Sequence, residues 1–233
     1  MVGAAPGDEQ ILARWHEHAA PWTAAVREQR IESRRLVTDR AIVEAVLAVA
    51  PRTLLDLGCG EGWLARALAA HGIAVTGVDA VPALVAQAQR AGGGQFHVLS
   101  YEEVIAGRLQ LAVDAVACNF SLLGEASVEG LLGTLGRLLT PQGTLLIQTL
   151  HPRFACGEAP YADGWRAGSW AGIPGDFGTP APWYFRTMEG WLQLLARHGW
   201  QLRERREPLH PHTRQPASVI FVAQAGSDAR APA

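Results

Sequence analysis

Two rhythms of apolar residues alternate along this chain. Short apolar runs recur at 53–57 (TLLDL), 74–78 (AVTGV), 95–99 (QFHVL), 114–118 (DAVAC) and 144–149 (TLLIQT). Each has the length of a buried strand. Between them, residues 61–71, 81–90 and 125–139 carry apolar positions at helical spacing, and Gly72 stops the first of these. Strands and helices in this alternation predict right-handed parallel crossovers and a sheet covered on both faces. The turn residues Pro141-Gln142-Gly143 predict a break ahead of the fifth strand.

The flanks differ from this centre. Residues 1–8 read as a loose tail. Residues 9–50 read as helical, broken once at Pro21 and stopped by Pro51. Leu36, Ile42, Val43, Val46, Leu47 and Val49 lie close to a 3.6-residue period there. Beyond the fifth strand the rhythm stops. Residues 151–186 hold six Gly, five Pro and eight of the chain's 17 aromatics. So many rings argue against disorder. Two readings stay open: a lid over a substrate, or a loop that staples itself to the core with its own rings. A helix at 187–198, capped by Gly199, and strands at 200–207 and 218–224 complete the chain. With no linker visible, residues 1–233 read as one domain. Its parts are an N-terminal helical cap (1–50), a core (51–150), an aromatic-rich insertion (151–186) and a C-terminal helix with strands (187–225).

Composition narrows the function. The 233 residues are 48% hydrophobic and 18% charged, which suits one large globular domain. A net charge of -2 gives no pull toward nucleic acid or an anionic membrane. All 20 basic residues are Arg, which excludes a P-loop lysine, a Schiff-base lysine and a lysine general base. Cys59, Cys118 and Cys156 are odd in number and form no Cys-x-x-Cys pair, so a reducing cytoplasm fits better than a disulfide framework. Neither a signal-peptide start nor a membrane-spanning run is legible. No metal is expected: His210-Pro211-His212 has no fixed acidic partner, and His16 and His18 point to different sides of a helix.

The chemistry concentrates at Leu54-Leu55-Asp56-Leu57-Gly58-Cys59-Gly60-Glu61-Gly62, where a strand turns into a helix. Glycines let backbone approach a ligand, and the helix N-terminus adds free N–H groups. A dinucleotide fingerprint would need a third glycine at position 63, which is Trp63. Asp79, closing the second strand, can accept hydrogen bonds from vicinal ribose hydroxyls or can cap the next helix. An acid at Asp56 and the G-x-G-x-G spacing point away from NAD.

With DLGCGEG followed by GVD, the chain resembles the class I S-adenosylmethionine-dependent methyltransferases, most closely from residue 53 to 148. The resemblance implies a Rossmann-like, seven-stranded, mostly parallel sheet whose last strand is antiparallel. It implies S-adenosylmethionine as cofactor. Asp56 would belong to the cofactor site, Gly58, Cys59 and Gly60 would line the methionine part, Asp79 the ribose and Ala80 the adenine. Ser100 and Tyr101 would meet the adenine edge, with Ser100 standing where many members carry Asp. Cys118, Asn119 and Phe120 would face the sulfonium and amino groups, although Cys118 also reads as a small core residue. Asn119 is not followed by Pro-Pro-Tyr or Pro-Pro-Phe, which counts against methylation of base or glutamine nitrogens. Arg35 would pair with the methionine carboxylate.

His151, directly after the fifth strand, is the candidate general base by position, or else a residue that holds Pro152 and the insertion. Trp22, Trp183 and Tyr184 are candidates to line an acceptor site. The activity expected is methyl transfer to a small apolar or aromatic molecule by in-line displacement. Methylation of tRNA or protein, or binding of an adenosine cofactor (S-adenosylmethionine or NAD) without catalysis, are the alternatives.

Overall fold

In the computed structural model, which describes residues 6–226, the apolar runs become one seven-stranded sheet. The first five residues of the expected tail lie outside the described part. Strands β1 (Thr53–Leu57), β2 (Ala74–Asp79), β3 (Gln95–Val98), β4 (Val113–Asn119) and β5 (Leu139–Thr149) are parallel. A separate hairpin pairs β6 (Gly164–Arg166) with β7 (Trp183–Phe185). Strands β8 (Trp200–Arg206) and β9 (Val219–Ala225) complete the order β3-β2-β1-β4-β5-β9-β8, with β9 antiparallel to both neighbours.

Alternation along the strands builds two cores. Leu54, Ala115, Ala117, Leu146 and Ile220 face one side of the sheet. Helices α2 (Asp39–Val49), α3 (Trp63–Ala69) and α4 (Pro82–Ala91) cover that side. Leu55, Leu57, Val116, Ile147 and Phe221 face the other. There they meet α5 (Tyr101–Ile105), α6 (Ala126–Thr134) and α8 (Met188–Arg197). The short α7 (Pro152–Ala155) follows β5.

Four sequence expectations need correction. The N-terminal helix α1 (Asp8–Arg27) runs through Pro21 without a break. It ends instead at Arg27, and Gln29, two residues on, takes the left-handed region with φ 53°. There Arg30 N donates to Ala25 O and Gln29 N to Val26 O, a Schellman closure. The next helical stretch starts at Glu32 and passes through a π-turn, Arg34–Thr38. The turn expected at 141–143 is a bulge inside β5: Val113 pairs with Leu139, and Ala115 with Thr144. Helix α5, not foreseen, starts on a capping box in which Ser100 Oγ accepts from Glu103 N and the Glu103 carboxylate accepts from Ser100 N.

Helix α1 is fastened at both ends. The Asp8 carboxylate accepts from Glu125 N (2.9 Å) and Ser127 N (2.7 Å) at the start of α6. At the far end Arg27 Nε donates to Glu61 Oε2 (2.8 Å), and Arg27 Nη2 to Gln87 O. The Glu61 side chain is fully buried and also takes two bonds from Arg66 Nη2, at 2.7 and 2.8 Å, while Arg66 Nη1 binds the Glu61 carbonyl. Removing both cations would strand a carboxylate in the interior, at a cost of about 3–5 kcal/mol. In urea unfolding, Arg66→Met is expected to lower the midpoint more than Arg27→Met, because Arg66 makes more of the bonds, and the double variant to lose about that full amount.

Candidate functional site

The carboxyl ends of β1 and β4 meet where the strand order reverses direction, the position at which such sheets bind ligands. Gly58 and Gly60 both lie at positive φ, 73° and 56°. A Cβ at Gly58 would come within 2.3 Å of Ser121 Cβ, so only glycine lets β1 and the β4 loop close together. Ser121 Oγ donates to Leu57 O (2.6 Å), and Tyr101 Oη donates to Ser121 O (3.1 Å). At Gly60 the space is open: the nearest atom to where a Cβ would sit is Trp22 Nε1, at 4.0 Å.

Asp79 ties the second strand to this loop. Its Oδ2 accepts from Gly60 N (2.9 Å) and its Oδ1 from Val81 N (2.9 Å), ahead of α4. Capping and ligand binding are compatible, because an ionised carboxylate has about four acceptor sites. Burial raises the Asp79 pKa, while the two backbone bonds oppose the rise. Ala80, half-buried, lies in the bend between Asp79 and Val81. Asp56 is 1% exposed, and its Oδ2 has no partner. Burial, with the charge of Asp79 second, pushes the Asp56 carboxyl up to about 7.

Other expected residues divide. Asn119 ends β4 with its Oδ1 buried and unpartnered, and Phe120 follows in the left-handed region at φ 53°. Cys59 keeps its backbone in the loop, where its N donates to Val78 O, while its side chain joins the α2–α4 core. The Cys118 side chain lies in the opposite core beside Leu55 and Ile147. Both thiols are pushed up, chiefly by burial. Ser100 is engaged in its capping box, and Tyr101 in its bond to Ser121.

Arg35 is exposed, whereas Arg34, one position earlier on the π-turn, turns inward. The Arg34 guanidinium lies 4.6 Å from the centre of the Trp63 ring and 5.9 Å from that of Trp22. Its Nε donates to Asp39 Oδ1 (2.9 Å), and its Nη2 is buried without a partner. His151 caps α7 with its carbonyl, leans on Phe154 and faces Glu207 at 3.7 Å. Its Nδ1 is buried without a partner. Trp183 and Tyr184 line a narrow cleft with Leu122, Thr149 and Trp191. Arg186 fastens that hairpin to Gly124 O and Glu125 O.

The insertion reaches α1. Trp170 stacks on Phe177 at 4.5 Å and meets His18 edge-on at 4.9 Å. Phe177 packs with Ala25 and Ile31. Sequence reasoning does not place Trp15, His18, Trp170 or Arg34 at the site. The spacing of Trp15, His18 and Trp22, three and four apart on one helix, is the available signal.

A family profile described as a methyltransferase domain matches residues 27–205. The chain belongs to the class I S-adenosylmethionine-dependent methyltransferases. The family's cofactor is S-adenosylmethionine. A ubiquinone biosynthesis O-methyltransferase of Xanthomonas oryzae pv. oryzae is 33% identical over 114 residues, 47% of this chain and 47% of that protein. The chain thus matches about half the length of this curated relative. An S-adenosylmethionine-dependent methyltransferase from Mesorhizobium loti is similar in structure, with TM-score 0.58 and 23% identity over 77% of this chain and 95% of that one. A magnesium protoporphyrin IX methyltransferase from Synechocystis, with bound S-adenosylhomocysteine, gives TM-score 0.56 and 18% identity over 80% of this chain and 81% of that one. At these identities the structural likeness establishes the shared fold. Among the described residues, no helix is long and apolar enough to cross a membrane.

The residues present fit a cofactor of this kind: an open face at Gly60, a carboxylate at Asp79, and buried unpartnered atoms on Asp56, Asn119 and Arg34. The raised Asp56 also sets a pH dependence. Below about pH 4 Asp56 is protonated folded and unfolded; between there and about 7 only the unfolded chain releases the proton. Its contribution to stability is therefore present at acid pH and lost as pH rises through that window. Thermal unfolding between pH 4 and 8 is expected to show this decline in the wild type and less of it in Asp56→Asn.

Proposed function

We propose that this chain binds S-adenosylmethionine over the glycine loop and methylates a small-molecule acceptor beneath α1 and the aromatic insertion. The observation that carries the reading is the bond from Gly60 N to Asp79 Oδ2, which sets an acidic strand end beside an uncovered glycine. When bound, the cofactor supplies an electrophilic methyl group on a sulfonium. The free lone pairs of Asp79 accept from the ribose hydroxyls, and Ala80, Ser100 and Tyr101 border the adenine. Asn119 Oδ1 and the backbone of Gly58, Cys59 and Phe120 border the methionine part. Arg34, rather than Arg35, pairs with its carboxylate through the free Nη2.

A small acceptor is favoured by what lies over the loop. Residues 6–50 act as a cap and 151–186 as a lid on the core, so the site is roofed by Trp22 and, beyond it, Trp170. Ring faces exclude water and suit a sulfonium. The net charge of -2 gives little support to a nucleic-acid acceptor. The name of the Xanthomonas relative, an O-methyltransferase of ubiquinone biosynthesis, points the same way.

Calorimetric titration is expected to give micromolar binding of S-adenosylhomocysteine and none of NAD, with Asp79→Ala weakening the first by about tenfold or more. No heat with S-adenosylhomocysteine would overturn the reading. Unchanged affinity in Asp79→Ala would overturn the ribose assignment.

A further inference from the structure

His18 is a buried titratable side chain left without a use. It is 1% exposed, and among the described residues it is the one whose two ring nitrogens, Nδ1 and Nε2, both lack a hydrogen-bond partner. A neutral imidazole carries one donor and one acceptor nitrogen. The Trp170 ring, perpendicular at 4.9 Å, is the neighbour whose π-face can take the donor. Ring carbons give no hydrogen to the acceptor nitrogen. A buried acceptor without a donor is a costly arrangement, and its natural complement is a donor brought by a guest.

The surroundings define the guest. Trp15 meets Trp22 edge-on at 5.1 Å and Trp170 at 6.3 Å. Trp22 lies one helical turn from His18 and is also the nearest side chain to the open face of Gly60. The same helix face thus carries aromatic walls, one hydrogen-bond acceptor and the roof of the glycine loop. Flat apolar walls around one acceptor suit a planar ring that carries a hydroxyl. We infer that His18 binds the methyl acceptor and takes up its proton, and that the acceptor is an aromatic molecule with a hydroxyl group. This rests on the cofactor reading given above.

The proton matters because a phenolic hydroxyl keeps it at neutral pH, its pKa being about 10. The oxygen–methyl bond forms as the methyl–sulfur bond breaks, and the hydroxyl proton passes to the free nitrogen of His18. The positive charge of the sulfonium ends on the imidazolium. Access is through the insertion. Trp170 Nε1 donates to Gly178 O and Ile173 N to Trp170 O, so those bonds close within the segment, while Trp170 and Phe177 meet α1 through ring and apolar contacts. The segment can therefore lift from His18 without breaking those internal bonds.

The test uses the full chain with 2-naphthol as probe and 2-methoxynaphthalene, which lacks the donor, as its control. Binding is followed by quenching of tryptophan fluorescence, with and without S-adenosylhomocysteine. The wild type is expected to prefer the naphthol by about tenfold. His18→Phe is expected to lose that preference and to keep its affinity for S-adenosylhomocysteine, which also reports that it folds. His18→Gln, whose carbonyl still accepts, is expected to keep much of the preference and to lose transfer of labelled methyl to 2-naphthol. Equal binding of the two probes by the wild type, or an unchanged preference in His18→Phe, would overturn the assignment of the guest. Transfer that survives in His18→Gln, or that the wild type does not perform on bound naphthol, would overturn the proton role. Failure of S-adenosylhomocysteine to bind the wild type would count against the cofactor reading alone, since the naphthol titration still decides the role of His18 in binding.

Discussion

A buried carboxylate holds the working end of this molecule together. Glu61 sits on the turn between β1 and α3 with no exposure of its side chain, and it is tolerated there only because Arg27 and Arg66 reach it from two helices. Arg66 belongs to the helix that follows the glycine loop. Arg27 belongs to α1, remote in sequence, and it also reaches Gln87 O on α4. One charge therefore fixes the loop's exit, the end of the cap helix and the flank of α4. Weakening it would loosen the loop and its roof together.

The rest of the site follows from how α1 is laid. A 20-residue helix is about 30 Å long, enough to cross a small domain. Asp8 anchors one end at the start of α6, and Arg27 the other at Glu61. Its middle turns, carrying Trp15, His18 and Trp22, then have to pass over the ends of the central strands. Aromatic residues of the insertion fill what remains above them, so it both covers the cap and packs as a small core of its own with Ala25 and Ile31. These ring contacts are the stapling read from the aromatic content of residues 151–186.

What the sequence could disclose depended on how local each determinant is. The inner strands β1, β4 and β5 were legible because each holds a short apolar run whose burial on both faces needs no partner to be recognised. The glycine loop and Asp79 were legible because spacing alone carries them. Pro21 misled because a helix held at both ends tolerates a lost backbone bond that would break a free one. The Ser100–Glu103 capping box is written in the residues, but assigning Ser100 to the adenine edge hides it. Arg34 and Arg35 could not be told apart, because the π-turn at 34–38 slips the helical phase at those very residues. The role of His18 required knowing that Trp170, some 150 positions later, closes over it. The β6–β7 hairpin, with strands of three residues, has too short a pattern to read.

The bulge in β5 has a consequence for how this chain can vary. Between the pairs Val113–Leu139 and Ala115–Thr144 the two strands advance by different numbers of residues, with Pro141, Gln142 and Gly143 taking up the slack. From Thr144 onward the register is regular as far as Asn119–Gln148. A gain or loss of residues near 140–143 would change the size of the loop-out and leave the phase of the strand beyond it untouched. The end of the sheet remote from the site is thus free to drift in length over evolution, while the end that carries Asn119 stays in step with its neighbour.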